Sequence, residues 1–413
     1  MIASAVRATG ATTAAAASTI LMGHSLYLTT VGVAARRALA GEPRDPVREP
    51  ATRFRVLIPA HNEELLIKDT LGALLKLDYP SELIEIHVVA DNCTDRTAEI
   101  AQSPRVEVHE RFDPDHPGKG PALNWMMSRL APTDTVDLDG TVLVFLDADS
   151  IVQPDFLSQL NARFIDGAEA VQAQYAVRDE SAGGEVSFRS AAFAVRHLVR
   201  PAGRVHLGGS SSLYGNGMAF TEAVARKFNW SPHLTEDLDM GLRLLLAGET
   251  VQFAPEAVVR GEMPNTATSA ESQHQRWEMG RQAVARAYVP ELLAAAKERR
   301  HDRSWAYVDA AIDISMPPFG TMMLMGALST TASGLLGRSA SRHVGVGAGI
   351  TGLALLSAHV IDSLRLAEAP PEVFRSLARA PQNALWKLGV LWRSRSDSGE
   401  DWIRTTRNTE VPR

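Results

Sequence analysis

Charge is distributed very unevenly along this chain. Between Arg7 and Arg36 there is no Asp, Glu, Lys or Arg, and the stretch includes AAAASTILMGHSLYLTTVGVAA. A bilayer crossing needs about 20 apolar residues, so this segment is long enough to span. The apolar core of a cleaved signal is shorter, about 7–15 residues, which favours a retained anchor. Two more uncharged stretches follow, Ile314 to Gly337 and Val344 to Ile361, both rich in the small residues that permit close helix contact in lipid. Pro317 and Pro318 are expected in the first turn of the second span, where a missing N–H is tolerated.

Everything between must then fold as a polar domain, and the flanking charges orient it. Arg36, Arg37, Arg44 and Arg48 follow the first stretch, and Lys297, Arg299, Arg300 and Arg303 precede the second. By the positive-inside rule the central region and the C-terminal tail face the cytoplasm. Arg338 and Arg342, in the short outer loop, run against that rule. The expected organisation is an anchor over 1–40, a cytoplasmic domain over 50–300, two spans within 304–365 and an interfacial tail over 366–413. In that tail Trp386 and Trp392 mix with Arg and Lys, as in amphipathic segments that lie on lipid. The net charge of −6 lacks the basic footprint of a nucleic-acid binder. The single cysteine, Cys93, rules out an internal disulfide.

From about residue 52 to 300, short β-branched runs alternate with helical stretches. RVLIP precedes a helix expected over Asn62 to Leu77; IEIHVVA, RVEVH, VLVFLD and EAVQAQYAV follow, each with a helical segment after it. Such alternation indicates a doubly wound, mostly parallel α/β sheet. Ligands of such sheets bind outside the carboxyl ends of the strands. The residues there are His61, Asn62, Glu63 and Glu64, then Asp91, Asn92 and Asp95, then Asp147 and Asp149. Neither a G-x-G-x-x-G nor a G-x-x-x-x-G-K-[ST] motif follows the first strand, which excludes a dinucleotide-binding dehydrogenase and a P-loop enzyme. Carboxylates at strand ends suit a hard cation such as Mg²⁺ or Mn²⁺ shared with substrate phosphates.

The segments VLIPAHNEE, VVADNCTDRT, GKGPALN, FLDADS, TEDLDMGLRLLLAG and QHQRW occur in the order seen in membrane glycosyltransferases of family two. The resemblance covers about residues 52 to 290. It implies a GT-A fold and transfer of a sugar from a nucleotide diphosphate to a hydroxyl. Asp147 and Asp149 then resemble the metal motif, with Asp149 the direct ligand. Asp91 resembles the residue that recognises base or ribose, with Glu63 beside it. Asp237, next to Glu236, resembles the general base, although Thr235-Glu236-Asp237 is also good helix-capping chemistry. Gln273, Arg276 and Trp277 match QxxRW, whose spacing puts all three on one helix face. The resemblance gives the first two to the diphosphate and Trp277 to the acceptor sugar. Lys119, between Gly118 and Gly120, reads as a nucleotide or phosphate contact. Asp95 reads equally as a cap on the helix at Thr97, and Gly215-Asn216-Gly217 equally as an acceptor border or a plain turn. His109, His197, His206 and His233 show no metal-binding spacing.

The implied partners are a nucleotide-sugar donor, probed first as a UDP-sugar, a glycan or lipid-linked acceptor, and membrane lipid at a bacterial inner or plasma membrane. Processive members of the family carry more spans than three. Either an oligomer or partner subunit completes an export channel, or the chain adds one or a few sugars. A nucleotidyltransferase, which needs neither Asp237 nor QxxRW, and a non-catalytic nucleotide sensor are the rival classes.

Overall fold

The computed structural model describes residues 2–41, 48–130, 140–178, 193–232, 235–262, 267–298, 304–338 and 340–376. The chain forms two compact units: one takes 41–179 and 208–314, the other 1–40, 180–207 and 315–399.

The first unit is built on eight strands: β1 (Arg53–Ala60), β2 (Ile84–Asp91), β3 (Glu107–Arg111), β4 (Thr141–Phe145), β5 (Ile151–Val152), β6 (Ala170–Val177), β7 (Met218–Thr221) and β8 (Gln252–Gly261). They form one sheet in the order β3-β2-β1-β4-β7-β6-β8-β5. The first half, β3-β2-β1-β4, is parallel throughout, as the alternation predicts. The second half is not. β7 runs antiparallel to both β4 and β6, and β5 antiparallel to β8, while β6 and β8 are parallel. The sheet is therefore mixed, and the four-residue β7 and two-residue β5 carry too little pattern to read from sequence. In β1 the interior residues Val56, Leu57 and Ile58 are fully buried, the continuous apolar run of a strand covered on both faces. One face packs Phe54, Val56, Ile86 and Val88 under Ile67, Leu71 and Phe156; the other packs Leu57, Val89 and Phe145 under Leu123, Met126 and Trp230.

In chain order the helices are α1 (Ile2–Leu39), α2 (Ile67–Leu74), α3 (Thr97–Ala101), α4 (Lys119–Arg129), α5 (Phe156–Ile165), α6 (Arg200–His206), α7 (Glu222–Ala225), α8 (Glu236–Leu246), α9 (Ala267–Glu298), α10 (Ser304–Ser315), α11 (Phe319–Leu336), α12 (Ala340–Leu366) and α13 (Pro371–Ser376). The helix expected over 62–77 is shorter at both ends, since residues 63–66 form turns carrying the strand-end carboxylates. Asn161 of α5 is fully buried, and its Oδ1 accepts from the amides of Ala51 and Thr52 and from the Tyr79 hydroxyl at 3.1–3.2 Å. That cluster fixes where the chain enters β1.

The second unit packs α1, α11 and α12 together. Among the described residues two helices, α11 and α12, are long and apolar enough to cross a membrane; α1 is longer but falls outside that pair. Small residues let these helices approach closely: a Cβ on Gly349 would lie 1.9 Å from Thr330 Oγ1, and one on Gly345 would lie 2.3 Å from Ser333 Oγ. Arg7 donates to the terminal carbonyls of Leu335 and Leu336 at 3.1 and 3.3 Å, capping α11. Pro317 and Pro318 do not lie inside a helix. Pro318 is the N-cap of α11, and Ile314 and Ser315 close α10 instead. The residue before a proline is steered out of the helical region, so the consecutive prolines separate two helices. Trp386 and Trp392, with the rest of the tail beyond 376, lie outside the described residues.

Candidate active site

The parallel half of the sheet delivers β1, β2 and β4 to a common edge: Ala60 is level with Ala90, and Leu57 with Phe145. Asp147 and Asp149 follow β4 directly. Asp147 is partly exposed, whereas Asp149 is 8% exposed. Lys119, the first residue of α4, reaches this loop and donates to Asp147 Oδ1 at 2.5 Å and to the Gly215 carbonyl at 2.5 Å. Gly118 starts the helix with φ 114°, a conformation open to glycine. Gly120 lies so close to the next loop that a Cβ there would be 2.2 Å from the Ser231 carbonyl oxygen. Asn124 and Trp230 exchange two 2.8 Å hydrogen bonds, side chain to backbone in each direction, which secures α4 to that loop.

Glu236 and Asp237 open α8, so the capping and catalytic readings of this motif coincide at a helix N-terminus. Asp237 lies in the Lys119 pocket: a Cβ built on Gly215 (φ 77°) would be 3.3 Å from Asp237 Oδ2 and 3.6 Å from Lys119 Nζ. Burial first, and then the Asp237 carboxylate, push the Glu236 pKa up to about 7. Lys119 shows the complementary effect. Burial lowers its pKa, but Asp147, Glu236 and Asp237 outweigh burial and raise it overall. One ammonium faces three carboxylates here, with Asp149 adjacent. This excess of hard oxygen donors fits a divalent cation.

At the neighbouring strand end Asp91 is buried and paired. Arg111 Nη1 donates to its Oδ1 at 2.5 Å, with both side chains 5% exposed. Arg111 Nη2 continues to Asp113 at 2.8 Å and the His116 carbonyl at 2.9 Å. Asn62 and Asn92 both take positive φ, 56° and 49°, at the turns leaving β1 and β2. Glu63 is buried, and its amide donates to Thr97 Oγ1 at 2.7 Å. Asp95 accepts from the Thr97 amide and hydroxyl at 2.9 and 2.5 Å and from the Glu64 amide at 3.1 Å. It holds the start of α3 to the β1 turn, which is the capping half of its reading.

Gln273, Arg276 and Trp277 lie on α9, each half-buried. Gly280 extends their stripe by the same spacing (i, i+3, i+4, i+7), so all four share a helix face. A Cβ on Gly280 would be 2.5 Å from Thr235 Cγ2. The stripe is therefore pressed against the residue just before Glu236 and Asp237.

Two supporting residues hold the Asp147 loop, Asn216, which the sequence places in a turn or acceptor border, and Gln172, which it does not single out. Asn216 is fully buried; its Oδ1 accepts from the Asp147 amide at 3.2 Å, and its Nδ2 donates to Ser150 Oγ at 2.8 Å. Gln172 accepts from the Tyr214 amide at 3.0 Å and donates to the Asn216 carbonyl at 2.8 Å. Gly215-Asn216-Gly217 is thus more than a plain turn, since it ties the Asp147 loop to the sheet. The asparagine between two glycines was its only signal. Arg111, likewise missed, carries no motif of its own.

Residues 50–280 match the model of a family described as glycosyltransferase like family 2. Among curated proteins the chain is similar to a probable glycosyltransferase, YdaM, of Bacillus subtilis: 27% identity over 261 residues, 60% of this chain and 59% of that protein. It is also similar to a beta-monoglucosyldiacylglycerol synthase of Synechocystis, 28% identical over 239 residues, 56% of this chain and 48% of that one. The aligned stretch thus spans about half to three fifths of these relatives' length. Among solved structures, the mannosyltransferase PcManGT of Pyrobaculum calidifontis in complex with GDP-Man and Mn²⁺ shares the fold. Its TM-score is 0.53 at 18% identity, covering 85% of this chain and 97% of that one.

Proposed function

The chain belongs to the glycosyltransferase-like family 2, and from that premise we propose that it transfers a hexose or N-acetylhexosamine from a nucleotide-diphosphate sugar to an acceptor hydroxyl, with inversion. The observation that carries this reading is the convergence of Asp147, Lys119, Gly215, Glu236 and Asp237 at the carboxyl end of the parallel strands.

Two tasks must be met together: stabilising the departing diphosphate and removing the acceptor proton. Asp237 removes the proton. It stands at a rigid helix start, beside the Lys119 ammonium. Glu236 holds its own proton up to about pH 7, so the pair carries one negative charge rather than two below that point. Bound at Asp149 and Asp147, Mg²⁺ or Mn²⁺ supplies charge stabilisation for the departing diphosphate. Arg276 and Gln273, on the face of α9 that meets Thr235, hold diphosphate oxygens, and Trp277 offers a flat face to the acceptor. Asp91 and Glu63, at the β2 and β1 ends, take the base and ribose.

The acceptor is a glycan or lipid-linked hydroxyl at the membrane, with α11 and α12 as spans and α1 as a further anchor. Two observations favour a lipid acceptor with one or a few additions: the similarity to a glycolipid synthase, and only two helices that meet the length and apolarity of a span among the described residues. Release of nucleoside diphosphate from a panel of UDP- and GDP-sugars, with Mg²⁺ or Mn²⁺ and a diacylglycerol or glycan acceptor, tests the reading. If no donor is turned over with any acceptor, or if Asp237→Asn leaves turnover unchanged, the reading is wrong.

A further inference from the structure

β3 is the edge strand of the sheet, and its neighbour β2 runs parallel to it, with His87 level with Glu107 and Val89 level with His109. Alternation along each strand puts His87, Glu107 and His109 on one face. His87 lies four residues before Asp91, on the order of 13 Å along β2 from the strand-end site. Three side chains converge there. His87 Nδ1 is 3.3 Å from His109 Nε2, His87 Nδ1 is 3.4 Å from Glu107 Oε2, and His109 Nε2 is 3.4 Å from Glu107 Oε1.

These lengths have a specific meaning. Zinc bonds of about 2.0–2.1 Å at tetrahedral angles set ligand atoms about 3.3–3.4 Å apart. The 3.3 Å separation of the two ring nitrogens is thus one edge of a zinc tetrahedron, and a Glu107 oxygen lies at nearly the same distance from each of them. His87 is 6% exposed on its side chain, and its other nitrogen, Nε2, is buried with no hydrogen-bond partner among the described residues. The nearest carboxylate to that nitrogen, Glu85 Oε2, is 3.8 Å away and is itself held by Arg55 at 2.6 Å. Glu107 is 64% exposed, which leaves an entry path from solvent.

We propose that His87, Glu107 and His109 bind a divalent zinc-type cation, with water as the fourth ligand, as a staple between β2 and the edge strand. The ligands are two imidazoles and one carboxylate, a set suited to Zn²⁺ and unlike the all-oxygen set at Asp147 and Asp149. The staple also bears on the strand-end site, because Asp91 and Arg111 lie further along the same two strands.

The test uses the full chain in detergent, with any affinity tag removed and metal stripped by a chelator. In an Asp149→Asn background, Zn²⁺ is expected to bind at one site and raise the unfolding midpoint, and Co²⁺ to give the visible absorption of tetrahedral coordination. Glu107→Ala, at an exposed position, and His109→Ala are each expected to weaken binding at least about tenfold. No Zn²⁺ binding in the Asp149→Asn protein, or binding and Co²⁺ absorption unchanged by both substitutions, would overturn the proposal.

Discussion

Two strand ends of the same sheet hold carboxylates and treat them differently. At the end of β2, Arg111 pairs with Asp91 and with the more exposed Asp113, and the Asp91 and Arg111 side chains are each 5% exposed. At the end of β4, one ammonium is shared among Asp147, Glu236 and Asp237, and the Glu236 pKa rises to about 7. At the first site Asp91 and Arg111 are buried together, and replacing one partner leaves an uncompensated buried charge. The second carries more negative charge than its one ammonium neutralises, which is the condition for recruiting a cation and for raising a carboxylate pKa. Position at a strand end marks both, and the charge balance separates them.

The largest expected effect falls at the second site. Asp237→Asn should lower kcat by about 10²–10⁴-fold, the range of a general base, with the unfolding midpoint little changed. A loss of folding instead would move Asp237 into the structural class. Next comes the reverse experiment at the first site. Arg111→Leu should destabilise the fold by about 3–5 kcal/mol in denaturant titration, while Asp91→Asn with Arg111→Leu recovers much of the loss. A third test reads pH. The Glu236 pKa is raised, so the folded protein keeps up to about 7 a proton that the unfolded chain sheds near 4.5. Glu236 therefore favours the metal-free folded state fully below that window, and its contribution fades as pH rises through it. Glu236→Gln should flatten this slope and remove the limb of kcat/KM near pH 7. The smallest change is a displacement of that limb. Lys119→Met removes the cation that lowers the Glu236 pKa and should move the limb to higher pH.

Much of this contrast could be read without coordinates. Apolar β-branched runs ending in Asp91 and Asp147 locate strand ends, and the strand-end rule does the rest. The polarity of β7 could not be read so, because a four-residue strand pairs by the space left to it rather than by its own pattern. Nor could the Asp91–Arg111 pair or the meeting of His87, Glu107 and His109. These depend on the register between β2 and β3, and register is set by the whole sheet. Asn216 gave half a signal: the flanking glycines mark a special backbone, but nothing in the sequence says that its side chain holds the Asp147 loop. The consecutive prolines at 317 and 318, expected in the first turn of a span, lie between one helix and the next, with Pro318 as the N-cap of α11.

The contact between Gly280 and Thr235 has a practical meaning for anyone reshaping this molecule. It is a point of zero clearance between the helix that bears Arg276 and Trp277 and the turn that bears Asp237. One methyl group added at 280 acts as a wedge whose thickness can be graded from alanine to valine. Residue 280 is thus the natural place for a tuning screw, setting the gap between the two halves of the reaction without altering a single group that takes part in it.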